Sequence, residues 1–388
     1  MSDNYDFEAV LKDIRRINMV GPEEFLALHA PVFQGREREY VLETIDSTFV
    51  SSVGAFVTQF EDMMCQITGA KRAVACVNGT AALEVAMVLA GVQRGDLVLT
   101  QAISFVATAN AVRHAGAEPV FLDIDVDTLG MSPAALLDFL ETQAEKTTQG
   151  LRHRQSGHRI AACLPMHTFG LPCRLEELMK ICHDWDLALV EDAAEALGSR
   201  YQGQPCGSFG LISGFSFNGN KTCSTGGGGA IVTNNDELGK MAKHLTTTAK
   251  QPHPWRFYHD HTAWNFRMPN INAALGCAQL ERLSDFLDDK RKLHSDYQQL
   301  FEGKSWQMVD ELAGCESNYW LNAVLLSNRE ERDAFLAYSN DQKVQTRPVW
   351  EPLQTLPMYE NSPRGPLGNT LAVAERLVNI PSGVRRPI

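Results

Sequence analysis

The chain has 388 residues, a formal net charge of −12 and 44% hydrophobic residues. That length favours a major and a minor unit over one core. The acidic balance weighs against nucleic-acid binding, and no apolar run is long enough to span a membrane. The nine cysteines include no Cys-x-x-Cys pair, which argues against a disulfide framework or a structural zinc site. The acidic start, Met-Ser-Asp-Asn-Tyr-Asp, is no signal peptide, so a cytoplasmic location is expected.

Phe7, Val10, Leu11 and Ile14 recur at helical spacing and predict a helix over Phe7–Ile17. Phe25–Pro31 reads as extended and Tyr40–Asp46 as helical. Thr48-Phe-Val-Ser-Ser-Val-Gly54 leads into a helix with Phe56, Val57, Phe60, Met63, Met64 and Ile67 on one side. From Lys71 onward, apolar runs alternate with helical patterns. The predicted strands are Ala73–Val77, Leu97–Thr100, Pro119–Asp123, Ala161–Pro165, Ala188–Asp192, Ile212–Phe217 and Ala230–Val232. The predicted helices between the first five are Thr80–Ala90, Val106–His114, Pro133–Gln143 and Leu175–Trp185. This alternation predicts a mainly parallel α/β sheet covered on both faces. Ligands of such sheets bind at the carboxyl ends of the strands. Polar Ala144–Gly157 reads as a solvated loop. Asp236–Leu245 is expected to be helical, and Asn270–Leu287 to be one long helix. Lys290–Phe301 leads into a smaller unit with a strand over Trp320–Leu326, a helix over Arg329–Ser339 and Pro-rich loops from Arg347 to Pro366.

Several stretches carry candidate chemistry. In Gly214-Phe-Ser-Phe-Asn-Gly-Asn-Lys221, an apolar strand breaks at Asn-Gly-Asn turn chemistry, and a glycine run begins at Gly226. A lysine held there on a tight backbone can lose its proton by desolvation and attack carbonyls. The Ser216 hydroxyl, five residues earlier, could bond an anion on the same ligand. Asn78-Gly79-Thr80 sits where a strand turns into a helix, whose free N–H groups favour a phosphate. Asp192 ends the apolar strand Leu187–Val190, where an unpaired carboxylate is costly. Phe105 and His167 also follow strand ends. For Phe105 and His167, core packing explains the pattern better than chemistry does.

The Lys221 stretch resembles the Schiff-base segment of the DegT/DnrJ/EryC1/StrS sugar-nucleotide aminotransferases. These pyridoxal-phosphate enzymes carry roughly Ser-Phe-x-x-x-Lys before a glycine-rich strand. The resemblance runs in matching order from about Phe25 to Pro381. It implies the α/β fold type I of pyridoxal-phosphate transferases, with a mainly parallel mixed sheet in a large domain and a smaller C-terminal α+β domain. The expected division is an N-terminal segment, 1–48, packed on a large cofactor-binding domain, 49–285, followed by a small domain, 286–388.

The resemblance also implies roles. Lys221 would be the Schiff-base residue and proton carrier, and Asp192 the partner of the pyridinium nitrogen. Gly79, Thr80 and Ser216 would hold the cofactor phosphate, and Phe105 would stack on the ring. Asn265, in Trp264-Asn-Phe-Arg-Met268, would reach the neighbouring subunit's phosphate, making a homodimer with shared sites. The helix that follows is rich in small residues, Ala273, Ala274, Gly276 and Ala278, and could pack closely on a partner or within its own chain. Glu195 stands near the ring oxygen, where many members carry Gln or His. His167, Arg347 and Trp350 would line the substrate side, and no metal is expected.

The implied donor is L-glutamate. The implied acceptor is C4 of a UDP- or GDP-linked 4-keto-6-deoxy-N-acetylhexosamine. Val50-Ser-Ser-Val-Gly54, Ser104-Phe-Val-Ala-Thr-Ala-Asn110, Asp127-Thr-Leu-Gly130, Thr247-Thr-Ala-Lys250 and Thr346-Arg-Pro-Val-Trp350 are similar to the legionaminic-acid and bacillosamine branch. A perosamine-like or 3-amino sugar remains open. So do a same-fold dehydratase, in which histidine replaces the lysine, and a cofactor-binding regulator.

Overall fold

The computed structural model describes residues 6–385. Its central sheet has seven strands: β1 Arg72–Cys76, β2 Leu97–Gln101, β3 Glu118–Leu122, β4 Ile160–Leu164, β5 Ala188–Asp192, β6 Ile212–Ser216 and β7 Gly229–Thr233. They lie in the order β1-β7-β6-β5-β4-β2-β3. The run from β6 to β3 is parallel, and β7 runs against both its neighbours, β1 and β6. Along β1, Ala73 and Ala75 enter one core while Val74 and Cys76 enter another. Along β2, Leu97 and Leu99 oppose Val98 in the same way. Apolar residues on both faces are what a sheet buried between helices needs. One face packs on the helices Gly79–Leu89, Val106–His114 and Asp236–Thr246. The other packs on Ala55–Thr68, Asn270–Leu280, Pro133–Gln143 and Leu175–Asp184. The expected mostly parallel mixed sheet covered by helices is therefore present.

A second, antiparallel sheet joins Gln307–Met308, Asn322–Leu325, Leu377–Ile380 and Arg347–Pro348. The helices Leu283–Phe301 and Arg329–Asp341 pack on it.

The structure corrects four expectations. Helix Phe7–Ile17 packs on this second sheet through Val10, Leu11 and Ile14, not on the seven-stranded one. In the same N-terminal segment, helix Glu37–Asp46 does join the larger sheet's helices, where Gln279 Nε2 donates to Glu37 Oε1 at 2.7 Å. Ala144–Gly157 is not a plain loop but contains a hairpin, Ala144–Thr147 with Gly150–His153, anchored by buried Leu151. The long helix from Asn270 breaks at Glu281–Arg282 into Asn270–Leu280 and Leu283–Phe301. Finally, Ala273, Ala274, Gly276 and Ala278 are buried within the chain. A Cβ on Gly276 would come within 2.8 Å of Phe60, so these small residues serve intrachain packing.

Candidate active site

β6 delivers Ser216 to the carboxyl edge of the sheet, and the chain then turns tightly. Lys221 N donates to Asn218 O at 2.9 Å, and Asn218 Nδ2 donates to Asn220 Oδ1 at 3.0 Å. Phe217 N donates to Gly228 O at 2.8 Å, and Thr225 N to Phe217 O at 3.0 Å. The glycines are needed for close approach. A Cβ on Gly229 would lie 2.4 Å from the Asn78 carbonyl, and one on Gly79 would lie 2.9 Å from Ser216 Cβ. The start of helix Gly79–Leu89 is thus pressed against β6 and β7. Asn78 caps that helix, accepting from Ala81 N at 2.8 Å.

Asp192 is the last residue of β5 and is 2% exposed. Its Oδ2 accepts from Thr108 Oγ1 at 2.6 Å and its Oδ1 from Ala194 N at 3.1 Å. Burial pushes its carboxyl up from the usual range, against these hydrogen bonds and the charge of Lys221. Glu195 Oε2 accepts from Phe169 N at 2.9 Å, and its Oε1 takes Lys221 Nζ at 2.9 Å. Burial raises the Glu195 carboxyl to about 7, even against Lys221. Lys221 Nζ also lies 3.8 Å from the centre of the Trp320 ring.

Gly79, Thr80, Phe105, Asp192, Glu195, Ser216, Lys221 and Trp350, eight of the residues singled out from the sequence, line one cavity of about 330 Å³. Three others do not line it. His167 is fully buried behind it: its Nδ1 accepts from Cys173 N at 3.2 Å, which leaves Nε2 to donate to Glu191 at 3.1 Å. Glu191 precedes Asp192 on the strand and therefore faces the opposite way. It also accepts the N–H groups of Gly207, Phe209 and Gly210. His167 is therefore a packing and hydrogen-bonding residue. Arg347 is exposed and binds Asn340 Oδ1 at 2.8 Å. Asn265 is exposed too, its Oδ1 accepting from Arg267 Nε at 2.8 Å, outside the cavity of its own chain. Sequence reading missed Thr108, Asn218, Asn220 and Trp320, which also line the cavity. Thr108 lies one helical turn after Ser104, an ordinary pattern. Trp320 looked like the start of a buried strand.

A family model described as the DegT/DnrJ/EryC1/StrS aminotransferase family matches residues 32–385. The chain belongs to this family. It is 34% identical to a GDP-perosamine synthase of Escherichia coli O157:H7, over 92% of this chain and 93% of that one. A GDP-perosamine synthase of Vibrio cholerae is 33% identical, over 92% and 94%. Among solved structures, the aminotransferase TlmJ of Streptoalloteichus hindustanus superposes with a TM-score of 0.83 at 27% identity, covering 92% and 94%. The protein is a pyridoxal-phosphate-dependent sugar aminotransferase using an amino donor and a nucleotide-sugar substrate.

The residues present fit that cofactor. A helix N-terminus suits its phosphate, a buried carboxylate suits a protonated ring nitrogen, and the Lys221 amine belongs to the same cavity. Among the described residues no helix is long and apolar enough to cross a membrane.

Proposed function

We propose that this chain moves the amino group of L-glutamate onto C4 of a nucleotide-linked 4-keto-6-deoxyhexose. The observation that carries this reading is the convergence of Lys221, Asp192 and Glu195 in the cavity lined by the Gly79–Thr80 helix start. Pyridoxal phosphate, when bound, supplies an electron sink for the carbanion left when the amino-acid Cα loses its proton. Asp192 would keep the ring nitrogen protonated. Gly79, Thr80 and Ser216 would anchor the phosphate, and Phe105 would press on the ring face. Lys221, once free, would take the Cα proton and return it to the cofactor side, base then acid. Glu195 Oε1, which accepts from Lys221 Nζ at 2.9 Å, would hold the amine when it is not engaged elsewhere.

The two GDP-perosamine synthases favour a GDP-linked deoxyhexose as acceptor. A second reading, an N-acetylhexosamine aminated at the same carbon, rests on the sequence segments from Val50 to Trp350 quoted above. The division at 49–285 and 286–388, and a homodimer in which Asn265 serves the partner's site, belong to the same proposal. The test supplies purified protein and L-glutamate with a GDP-linked 4-keto-6-deoxymannose or a UDP-linked 4-keto-6-deoxy-N-acetylglucosamine. Amine product is followed by mass spectrometry, and 2-oxoglutarate enzymatically. Product from the GDP ketone supports the first reading, and product only from the UDP ketone supports the second. Failure with both, by protein carrying its cofactor, contradicts C4 amination.

A further inference from the structure

Trp320 belongs to the chain segment that crosses from the second sheet to the cavity, and each of its polar atoms is engaged. Its backbone N donates to Asn318 Oδ1 at 2.8 Å, and its indole Nε1 donates to Asn220 O at 2.7 Å, next to Lys221. Its carbonyl accepts from Lys290 Nζ at 3.2 Å. Asn318 in turn donates to the carbonyls of Glu195 at 2.8 Å and Leu197 at 2.9 Å. One short segment therefore ties Trp320 to the backbones of Asn220, Glu195 and Leu197.

Two features at this segment, one within it and one packed against it, have no part in the chemistry described so far. Tyr319, the residue before Trp320, has φ +43°, a left-handed conformation unusual for a bulky side chain. Such strain persists only where the surroundings hold it. Here the Tyr319 hydroxyl donates to Asp310 Oδ1 at 2.9 Å, and its ring stacks on His294 with centroids 3.7 Å apart. Lys290, the second feature, is a fully buried lysine. Its Nζ lies 3.0 Å from His29 Nε2 and donates to Ser382 O at 2.6 Å as well as to Trp320. A buried amine is costly unless its hydrogen bonds are satisfied, and these bonds bring three distant stretches of chain together at the Trp320 carbonyl.

We propose that Trp320 is a positioning residue for Lys221: its ring face and Glu195 together hold the free amine in a waiting pose, and Lys290 fixes Trp320 through its backbone carbonyl. The ring is placed for this, because a cation within about 6 Å of an indole centroid is attracted by the ring's negative face. The proposal rests on Lys221 as the reacting lysine. Its test reads the amine itself and not turnover, so it can fail while that assignment stands.

The test uses full-length protein stripped of cofactor and briefly acylated with acetic anhydride at several pH values. Acylation of Lys221 is quantified by mass spectrometry against exposed Lys180. In Trp320→Leu, loss of the ring face should speed Lys221 acylation at pH 8 by roughly two- to fivefold. The gap should narrow towards pH 11, as amines become free in every variant. Trp320→Phe, which keeps a ring face, should stay closer to wild type. Lys290→Met should move Lys221 in the same direction as Trp320→Leu, and it serves as the readout if Trp320→Leu does not fold. An unchanged rate in folded Trp320→Leu or Lys290→Met overturns the proposal. So does equal acceleration by Phe and Leu. A gap that persists undiminished to pH 11 would mean that the indole only shields the amine.

Discussion

Asp192 sits where burial favours its protonated form, yet its hydrogen bonds and the charge of Lys221 favour the carboxylate. A protonated ring nitrogen would complete that balance. Asp192→Asn keeps the acceptor for Thr108 but loses the charge. It should fold normally, bind cofactor and transfer amino groups about 100-fold more slowly, in line with the loss of one aimed electrostatic partner. Single-turnover kinetics with L-glutamate measure this, and near-wild-type rates in cofactor-loaded Asp192→Asn would refute the role. Lys290 allows a test by pH. Burial depresses its amine to about 7, outweighing Asp289 and Cys223. Its folded pKa lies below its unfolded value, so the unfolded chain binds more protons between about pH 7 and pH 10. This group's contribution to stability is full above that window and is lost as pH falls through it. The melting temperature of Lys290→Met should therefore rise less than that of wild type between pH 7.5 and 9.5. Parallel profiles would show that Lys290 keeps an ordinary pKa.

At the scale of elements, helix Gly79–Leu89 fits tightly against β6. A Cβ added at Gly79 would lie 2.9 Å from Ser216 Cβ and 3.3 Å from Phe215 O, both parts of a rigid strand. Gly79→Ala should cost about 1–3 kcal/mol by overpacking. It should also weaken cofactor binding, because it tilts the phosphate-binding turn. Thermal unfolding and an absorbance titration with pyridoxal phosphate check both effects, and an Ala variant unchanged in both would show that the contact yields freely. This junction was legible in the sequence: an apolar strand, an Asn-Gly-Thr cap and a helix leave few alternatives. The strands of the main sheet were legible for the same reason, since buried parallel strands read as short apolar runs ended by turn residues. The break at Glu281–Arg282 was not legible. No Gly or Pro marks it, and helical periodicity continues on both sides. Nor was the hairpin at Ala144–His153, which buries little beyond Ala144, Leu151 and His153. The Trp320–Lys221 contact depends on how the second sheet meets the first, and no local pattern encodes that.

For the whole molecule, the proposed homodimer needs a surface on which two chains can meet. The small-residue helix that suggested a dimer is used up inside the chain. Other surfaces remain: Phe49 and Val53 in the serine-rich segment and Trp255 and Phe257 in the loop before Asn265 are well exposed, Trp255 at 81%. Exposed aromatics grouped on a few loops are what a subunit interface would cover. If Asn265 serves the partner's phosphate, Lys221→Ala and Asn265→Ala chains should complement one another. A mixed dimer would have one site with both defects and one with neither, and would regain up to half the wild-type activity. No recovery after proven subunit exchange would place Asn265 within its own site. The central claim is that Lys221 carries the cofactor in the cavity between Asp192, Glu195 and the Gly79 helix. Borohydride reduction of the cofactor-loaded protein followed by peptide mapping tests it most directly. The pyridoxyl label should fall on Lys221 and be absent in Lys221→Ala, whereas a label on any other lysine would overturn the assignment.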